Sequence, residues 1–257
     1  MRLTRALVRQ PSPNFAEGLT QGHHGLPSYA VAKAQHERYC EELARSGLEL
    51  TRLPTDAHYP DATFVEDTAI LTGRGAIVTR PGAPSRLGEI DSVREALSEL
   101  APSLGEIAEP GTVDGGDICE INGRFLIGIS ARTNDDGARQ LAAILESHGY
   151  ESTTIDIRGN PELLHLKSGL SAMDNGRLVA VPALASRDEL RGYPIVRVAE
   201  RESYAANAVC VNGRVLIARG FPALETALVA LRYEVVTLEM SEFRKMDGGL
   251  SCLSLRL

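Results

Sequence analysis

A cysteine near the end of the chain, a histidine in an apolar setting and two clusters of acids are the residues whose types could do chemistry together. Cys252 follows Asp247-Gly248-Gly249-Leu250-Ser251, where glycines permit tight turns and close approach of a ligand. A cysteine in such a place is more often a small apolar filler of a buried strand. To act as a nucleophile it needs a base or a cationic neighbour that draws out the thiolate. His165, in Leu164-His165-Leu166-Lys167-Ser168, lies between two leucines at a strand-like spot and alone reads as a hydrogen-bonded core residue. Its interest is the pairing it could make with Cys252 on one side and a carboxylate on the other. That carboxylate is Asp114 or Asp117, from Asp114-Gly115-Gly116-Asp117, although ordinary turn chemistry explains two acids around two glycines about as well.

A second acidic cluster, Asp61, Glu66 and Asp67, precedes the first apolar hairpin. In an extended chain Glu66 and Asp67 point to opposite faces, whereas Asp61 shares the side of Asp67. Such acids ordinarily solvate the approach to a strand; the sharper reading is that they neutralise a buried cation. Arg86 and Arg132 are the complementary groups, since an arginine can hold a carboxylate through two parallel hydrogen bonds, though most arginines are simply solvated.

The elements that must position these residues repeat. Four segments share one design, an apolar strand, a turn ending in Gly-Arg and a second apolar strand: TAILTGRGAIVTR, ICEINGRFLIGIS, SAMDNGRLVAVPA and AVCVNGRVLIARG. Three contain Asn-Gly, the strongest short hairpin signal. The turn glycines, Gly73, Gly123, Gly176 and Gly213, are separated by 50, 53 and 37 residues. Between them the apolar spacing predicts helices over Ser85–Ala101, Asn134–His148 and Pro222–Arg232, with short strands at ESTTIDI and YEVVTLEM. A further helix is predicted from Tyr29 to Ser46, ended by Gly47. The unit is hairpin, helix, strand. Two apolar strands remain, LTRALVRQ at the start and LSCLSLRL at the finish, and a closed ring could use them to complete a fifth unit and leave no open edge. An open α/β sheet with fortuitously similar hairpins is the alternative. No linker or low-complexity stretch is present, so residues 1–257 read as one domain.

Bulk properties narrow the partners. A net charge of −7 argues against nucleic acid, whose binders carry basic patches, and suits a cationic ligand only weakly. No signal peptide is legible in MRLTRALVRQPSPNF, and no apolar run is long enough to span a bilayer, so a cytoplasmic protein without a membrane partner is expected. The four cysteines (Cys40, Cys119, Cys210 and Cys252) lie far apart without zinc-finger spacing, which predicts reduced thiols and no structural zinc. Exposed and covered strands cannot be told apart by pattern, which leaves room for a homodimer.

Taken in order, PDATFVED (60–67), TRPGAPSR (79–86), VDGGDIC (113–119), LIGISARTN (126–134), LHLKS (164–168) and MDGGLSC (246–252) closely resemble the motifs of the dimethylarginine dimethylaminohydrolases, a branch of the guanidine-modifying amidinotransferase superfamily. Each motif alone is weak and the ordered set is specific, running essentially end to end. The resemblance implies a closed five-module α/β propeller of ββαβ repeats, with the termini completing one module. It implies hydrolysis of N-omega-methylated arginine to citrulline and an amine through a covalent thiouronium intermediate. Cys252 would be the nucleophile, His165 the acid and base, and Asp114 the carboxylate behind the histidine. Ligand contacts would fall on Asp61, Glu66, Asp67, Arg86 and Arg132, on Leu19 in a lid-like loop over Gly18–Gly25 that carries His23 and His24, and on the backbone of Met246. No metal or organic cofactor is implied. One departure matters: bacterial relatives often have Glu-Gly-Gly-Asp where this chain has Asp114-Gly115-Gly116-Asp117, so the supporting carboxylate has a shorter reach.

Four alternatives are less favoured. Arginine hydrolysis and amidino transfer use the same kinds of residues on usually longer chains. Agmatine-type substrates lack the α-carboxylate that Arg86 and Arg132 would hold. A noncatalytic binding protein on the same propeller would be expected to have lost the cysteine or the histidine.

Overall fold

The computed structural model describes residues 2–22 and 24–257; His23, part of the expected lid, lies outside the described residues. β1 (Arg5–Arg9) and β2 (Glu49–Leu53) run parallel, joined by α1 (Tyr29–Arg45). β3 (Ala69–Thr72) and β4 (Gly75–Val78) form a hairpin, and α2 (Ile90–Leu100) carries the chain to β5 (Ser103–Glu106), parallel to β4. β6 (Ile118–Ile121), β7 (Arg124–Ile129), α3 (Asp135–Ser147) and β8 (Glu151–Asp156) repeat the pattern. After α4 (Leu166–Gly169), so do β9 (Leu170–Ala172), β10 (Leu178–Ala180), α5 (Pro182–Ala185) and β11 (Ile195–Arg197). β12 (Val209–Val211), β13 (Arg214–Ala218), α6 (Pro222–Ala230) and β14 (Glu234–Leu238) follow. The chain ends with α7 (Ser241–Arg244) and β15 (Ser254–Arg256).

β15 pairs antiparallel with β1, setting Ala6 opposite Arg256 and Val8 opposite Ser254, so the two ends of the chain supply one hairpin-equivalent and the sheet order is β15-β1-β2. All five sheets then share one plan, an antiparallel pair whose second strand is parallel to a third. A central cavity is bordered by β3, β6, β9, β12 and β15, the first strand of every sheet. Only sheets set around a common axis can share a cavity in this way, and the fold is a five-module α/β propeller. No helix among the described residues is long and apolar enough to cross a membrane.

Local chemistry accounts for the elements. In two hairpins Asn122-Gly123 and Asn212-Gly213 both take positive φ (52° and 77°, 51° and 88°), as a two-residue turn that follows strand twist requires. Asn134 caps α3, its side chain accepting from Gly137 N at 2.8 Å. α1 stops where Gly47 turns left-handed at φ 91°. The short interval of 37 residues is explained by α5, a four-residue crossover opening on Pro182.

The helix expected over Ser85–Ala101 is divided. Pro84–Glu89 is a 3-10 segment, and the α-helix begins at Ile90. A 3-10 turn brings positions three apart onto one face, and here it turns Arg86 and Glu89 together into the interior, where both are buried.

β1 is packed on both sides, Leu7 facing Val65 and Leu255 while Ala6 and Val8 join the layer under α1. Leu7→Ala should therefore lower the unfolding free energy by about 3 kcal/mol, measured by urea denaturation. A loss no greater than that of the exposed Val229→Ala control would show that ring closure does not depend on this contact.

Candidate active site

Cys252 lies in a 3-10 turn, Ser251–Leu253, immediately before β15. The approach to it is shaped by two glycines: a Cβ on Gly248 would overlap the Phe64 ring, and one on Gly249 the Asn207 amide. Gly249 N–H donates to the Cys252 sulfur at 3.4 Å. The residue as a whole is half-buried. Burial pushes the Cys252 thiol up to about 12, and the negative charges of Glu66 and Asp67 act in the same direction, only partly offset by the Gly249 bond and Lys167.

His165 begins the turn of α4, its backbone N–H donating to Ser168 Oγ at 3.3 Å. Its Nε2 meets Asp114 Oδ2 at 3.0 Å, so the shorter carboxylate does reach the ring. Asp114 is wholly buried and is itself held by Gly82 N–H on Oδ1 at 2.7 Å. Asp117 has a different task. It accepts from Ser130 Oγ, Thr133 Oγ1 and the Leu166 amide, and so anchors the backbone beside the histidine, not its ring. Burial raises Asp117 to about 6 despite the His165 charge and these bonds. Burial works against a charged His165, but Asp67, Asp117 and the Asp114 hydrogen bond outweigh it and lift the imidazole to about 9. The ring is thus an imidazolium at neutral pH, with Nδ1 the nitrogen not engaged by a carboxylate.

One cavity is lined by Cys252, His165, Leu19, Asp61, Asp67, Arg86, Arg132 and Met246, together with Phe64, Leu164, Asp247 and Gly248. Of the expected set, Asp114 and Glu66 are absent from that lining: Asp114 stands behind the His165 ring, and Glu66 borders an adjoining chamber with His165, Lys167 and Cys252. There it accepts from Lys167 Nζ and Ser251 Oγ, each at 2.6 Å, so both its oxygens are engaged.

Asp67 accepts from Arg86 Nη1 at 2.6 Å and from Gly116 N at 2.9 Å. Burial opposes its charge, yet His165 and Arg86 hold it below the usual carboxylate range. Asp61 receives the Leu19 amide on both oxygens, at 3.1 and 3.0 Å, and ties the N-terminal loop to the cavity. A second tie joins that loop to the segment carrying Cys252: Asp247 accepts from Thr20 Oγ1 at 3.1 Å and from Gln21 N at 2.6 Å.

The two arginines are not equivalent. Arg86 is buried with Nε and Nη2 on Glu89, Nη2 also on the Phe64 carbonyl and Nη1 on Asp67, which leaves one Nη1 hydrogen for a ligand. Burial raises Glu89 to about 7 against the pull of Arg86. The Arg132 guanidinium has no hydrogen-bond or ion-pair partner among the described residues. Asp67, Asp114 and His165 bring three potential metal donors within 4.8 Å of one another. Their oxygens and the Nε2 are already spent on Arg86, Gly116, Gly82 and each other, which makes the cluster an ion-pair network.

Two residues of the site were not singled out by sequence reasoning. Tyr204 and Asn207 come from the 3-10 segment Glu200–Ala206 and its cap. Asn207 accepts from Ser251 N and donates to Ser251 Oγ and to the Lys167 carbonyl, bracing the turn of Cys252 against the turn of His165. No local pattern in Glu200–Asn207 marks them; their significance comes only from what they touch.

Comparison with known proteins agrees with this arrangement. A sequence model of the arginine deiminase family matches residues 57–209. The chain is 42% identical to an N(G),N(G)-dimethylarginine dimethylaminohydrolase of Pseudomonas aeruginosa, over 97% of this chain and 98% of that one. It is 35% identical to the enzyme of the same name from Streptomyces coelicolor, over 98% of this chain and 96% of the relative. A solved structure of the Pseudomonas aeruginosa enzyme, a cysteine-to-serine mutant complexed with citrulline, superposes with a TM-score of 0.97 at 40% identity and covers both chains completely. On this evidence the chain belongs to the dimethylarginine dimethylaminohydrolase family of the amidinotransferase superfamily.

Proposed function

We propose that this protein hydrolyses N-omega-methylated arginines, asymmetric dimethylarginine and monomethylarginine, to citrulline and dimethylamine or methylamine. The observation that carries the reading is the single cavity in which Cys252, a charged His165 and the unengaged Arg132 meet buried carboxylates. A substrate with a cation at one end and an α-carboxylate at the other matches that distribution of charge. Arg132 takes the α-carboxylate, helped by the remaining Nη1 hydrogen of Arg86. Asp61 or the Leu19 and Met246 backbone meets the α-ammonium. Asp67 faces the guanidinium, with Glu66 behind the sulfur.

Burial and the charges of Glu66 and Asp67 keep Cys252 a thiol. A guanidinium placed beside it offsets the charges of Glu66 and Asp67 and favours the thiolate, so the nucleophile is formed where substrate is bound. Sulfur attacks the central guanidinium carbon to give a tetrahedral adduct. His165, as imidazolium, gives its proton to the departing amine, the C–N bond breaks, and a thiouronium remains on Cys252. The neutral imidazole then takes a proton from water as the water attacks the same carbon. Collapse of this second adduct breaks the C–S bond and, as the hydroxyl proton passes to solvent, frees citrulline and the thiolate. Asp114 keeps the ring aligned and charged throughout. The four cysteines are unpaired thiols, which supports a reducing, cytoplasmic setting.

The match to the arginine deiminase family favours one competing reading, hydrolysis of unmethylated arginine. A paired assay separates the two: citrulline should form from asymmetric dimethylarginine with little turnover of arginine, and the reverse preference would move the substrate assignment. Cys252→Ala should abolish citrulline formation in the same assay; full activity in that variant would overturn the mechanism.

Loss of the charged hydrogen bonds of Arg132 should raise KM about ten- to a hundredfold in Arg132→Met. An unchanged KM would remove Arg132 from the binding set.

The pH dependence has a definite sign. His165 is the acid, its folded-state value is raised to about 9, and it is protonated below that pH, so kcat should fall as pH rises through a value no higher than about 9. Asp114→Asn removes one of the groups holding the proton and should move that limb to lower pH. A limb that stays in place would show that Asp114 does not support the ring.

A further inference from the structure

The peptide between Gly248 and Gly249 is held at both ends by the site. Its carbonyl oxygen, on Gly248, accepts from the Tyr204 hydroxyl at 2.8 Å. Its N–H, on Gly249, donates to the Cys252 sulfur at 3.4 Å. A trans peptide is planar with C=O and N–H pointing opposite ways, so fixing the oxygen fixes the direction of the hydrogen. The need for a clamp follows from the residues themselves: flanked by two glycines, this plane has few steric barriers to rotation. Neither glycine could be exchanged for a stiffer residue, because Phe64 and Asn207 occupy the space a Cβ would need.

Tyr204 is equipped for the task. Its ring packs on Phe221, with centroids 5.9 Å apart, and the Arg244 guanidinium lies 4.9 Å above it. Burial and the neighbouring Cys252 raise the phenol, so it remains a donor over the working range of pH. Glu66, Asp67, Lys167 and His165 also face the sulfur. Glu66 and Asp67 disfavour the thiolate, whereas the Gly249 amide and Lys167 favour it, the amide being the backbone group among them.

We propose that Tyr204 is a positioning residue whose hydroxyl locks the Gly248–Gly249 peptide so that the Gly249 N–H points at Cys252 and promotes ionisation of its thiol. The proposal rests on Cys252 being the nucleophile. Its test does not require turnover. Tyr204→Phe keeps the ring and removes the hydroxyl, and alkylation of Cys252 by iodoacetamide can be followed by peptide mass spectrometry, with half-buried Cys210 as an internal control. At a fixed pH of about 8.5, near the reference value of a free thiol, alkylation of Cys252 should slow about three- to tenfold while Cys210 is unaffected. With methylated arginine, kcat should fall by a similar factor, its alkaline-rising limb should move up in pH, and KM should stay within about twofold. Should Tyr204→Phe not fold, Tyr204→Leu also lacks the hydroxyl and carries the same expectation. Equal alkylation rates in variant and wild type would overturn the proposal whatever the turnover assay gives. So would a fall in kcat with no movement of the pH limb. Slowed alkylation in a protein that does not hydrolyse methylarginine would instead overturn the hydrolase reading and leave this one standing.

Discussion

A carboxylate buried as deeply as Asp67 must be given its counter-charge by the protein, because ionised groups removed from water are costly unless paired and hydrogen-bonded. Arg86 supplies one partner, the Gly116 amide another and the charged His165 a third field nearby. Arg86 is itself fully buried and needs more negative charge than Asp67 provides, which is why Glu89 is folded in behind it. His165 in turn takes Asp114 at its Nε2. The result is a connected run of alternating charge, Glu89, Arg86, Asp67, His165 and Asp114. Removing any one member strands its neighbours. The geometry of the histidine is therefore a consequence of charge balance extending through three modules of the propeller.

This explains why burial alone does not neutralise the acid and the base. An isolated imidazole at 8% exposure would lose its proton readily, and an isolated buried aspartate would keep one. Here each charged form is the reason the other persists. The cysteine is the exception. Burial first, and then the charges of Glu66 and Asp67, hold it as a thiol. On the proposed mechanism, the acid is held charged and the nucleophile forms only beside a cation.

Much of the architecture was legible in the amino-acid pattern because it is written locally. Asn-Gly turns, alternating apolar strands and the cap at Asn134 each act over a few residues, and the unpaired strands at the two ends implied the β15–β1 closure. Cys252, His165 and Asp114 became legible as neighbours only through an ordered set of motifs. Three things did not. The division of the Ser85–Ala101 helix depends on where Arg86 and Glu89 find partners, which helical periodicity cannot register. The difference between the two arginines is invisible in composition: Arg86 is occupied by Asp67 and Glu89, Arg132 is not. Tyr204 and Asn207 act across about forty-five residues of chain, on Gly248 and Ser251, and nothing in their own neighbourhood announces it.

Ring closure and the placement of Cys252 are one problem in this chain. Cys252 lies two residues before β15, the strand that pairs with β1 and completes the fifth module. Its 3-10 turn is gripped from three other directions: Ser251 by Asn207 of the fourth repeat, Ser251 again by Glu66 before β3, and Glu66 by Lys167 of α4. A free C-terminal segment would lose conformational entropy of about 1–2 kcal/mol per residue to hold such a position. Here the β-ladder with β1 and the packing of Leu255 against Leu7 and Val65 meet that cost collectively. The sulfur can then be set by short-range hydrogen bonds alone. Placing Cys252 at the seam also brings it against the turns that open the other modules, since those are the parts of a propeller that converge on its axis. The distant residues Glu66, Asp114, His165 and Asn207 reach one another for the same reason.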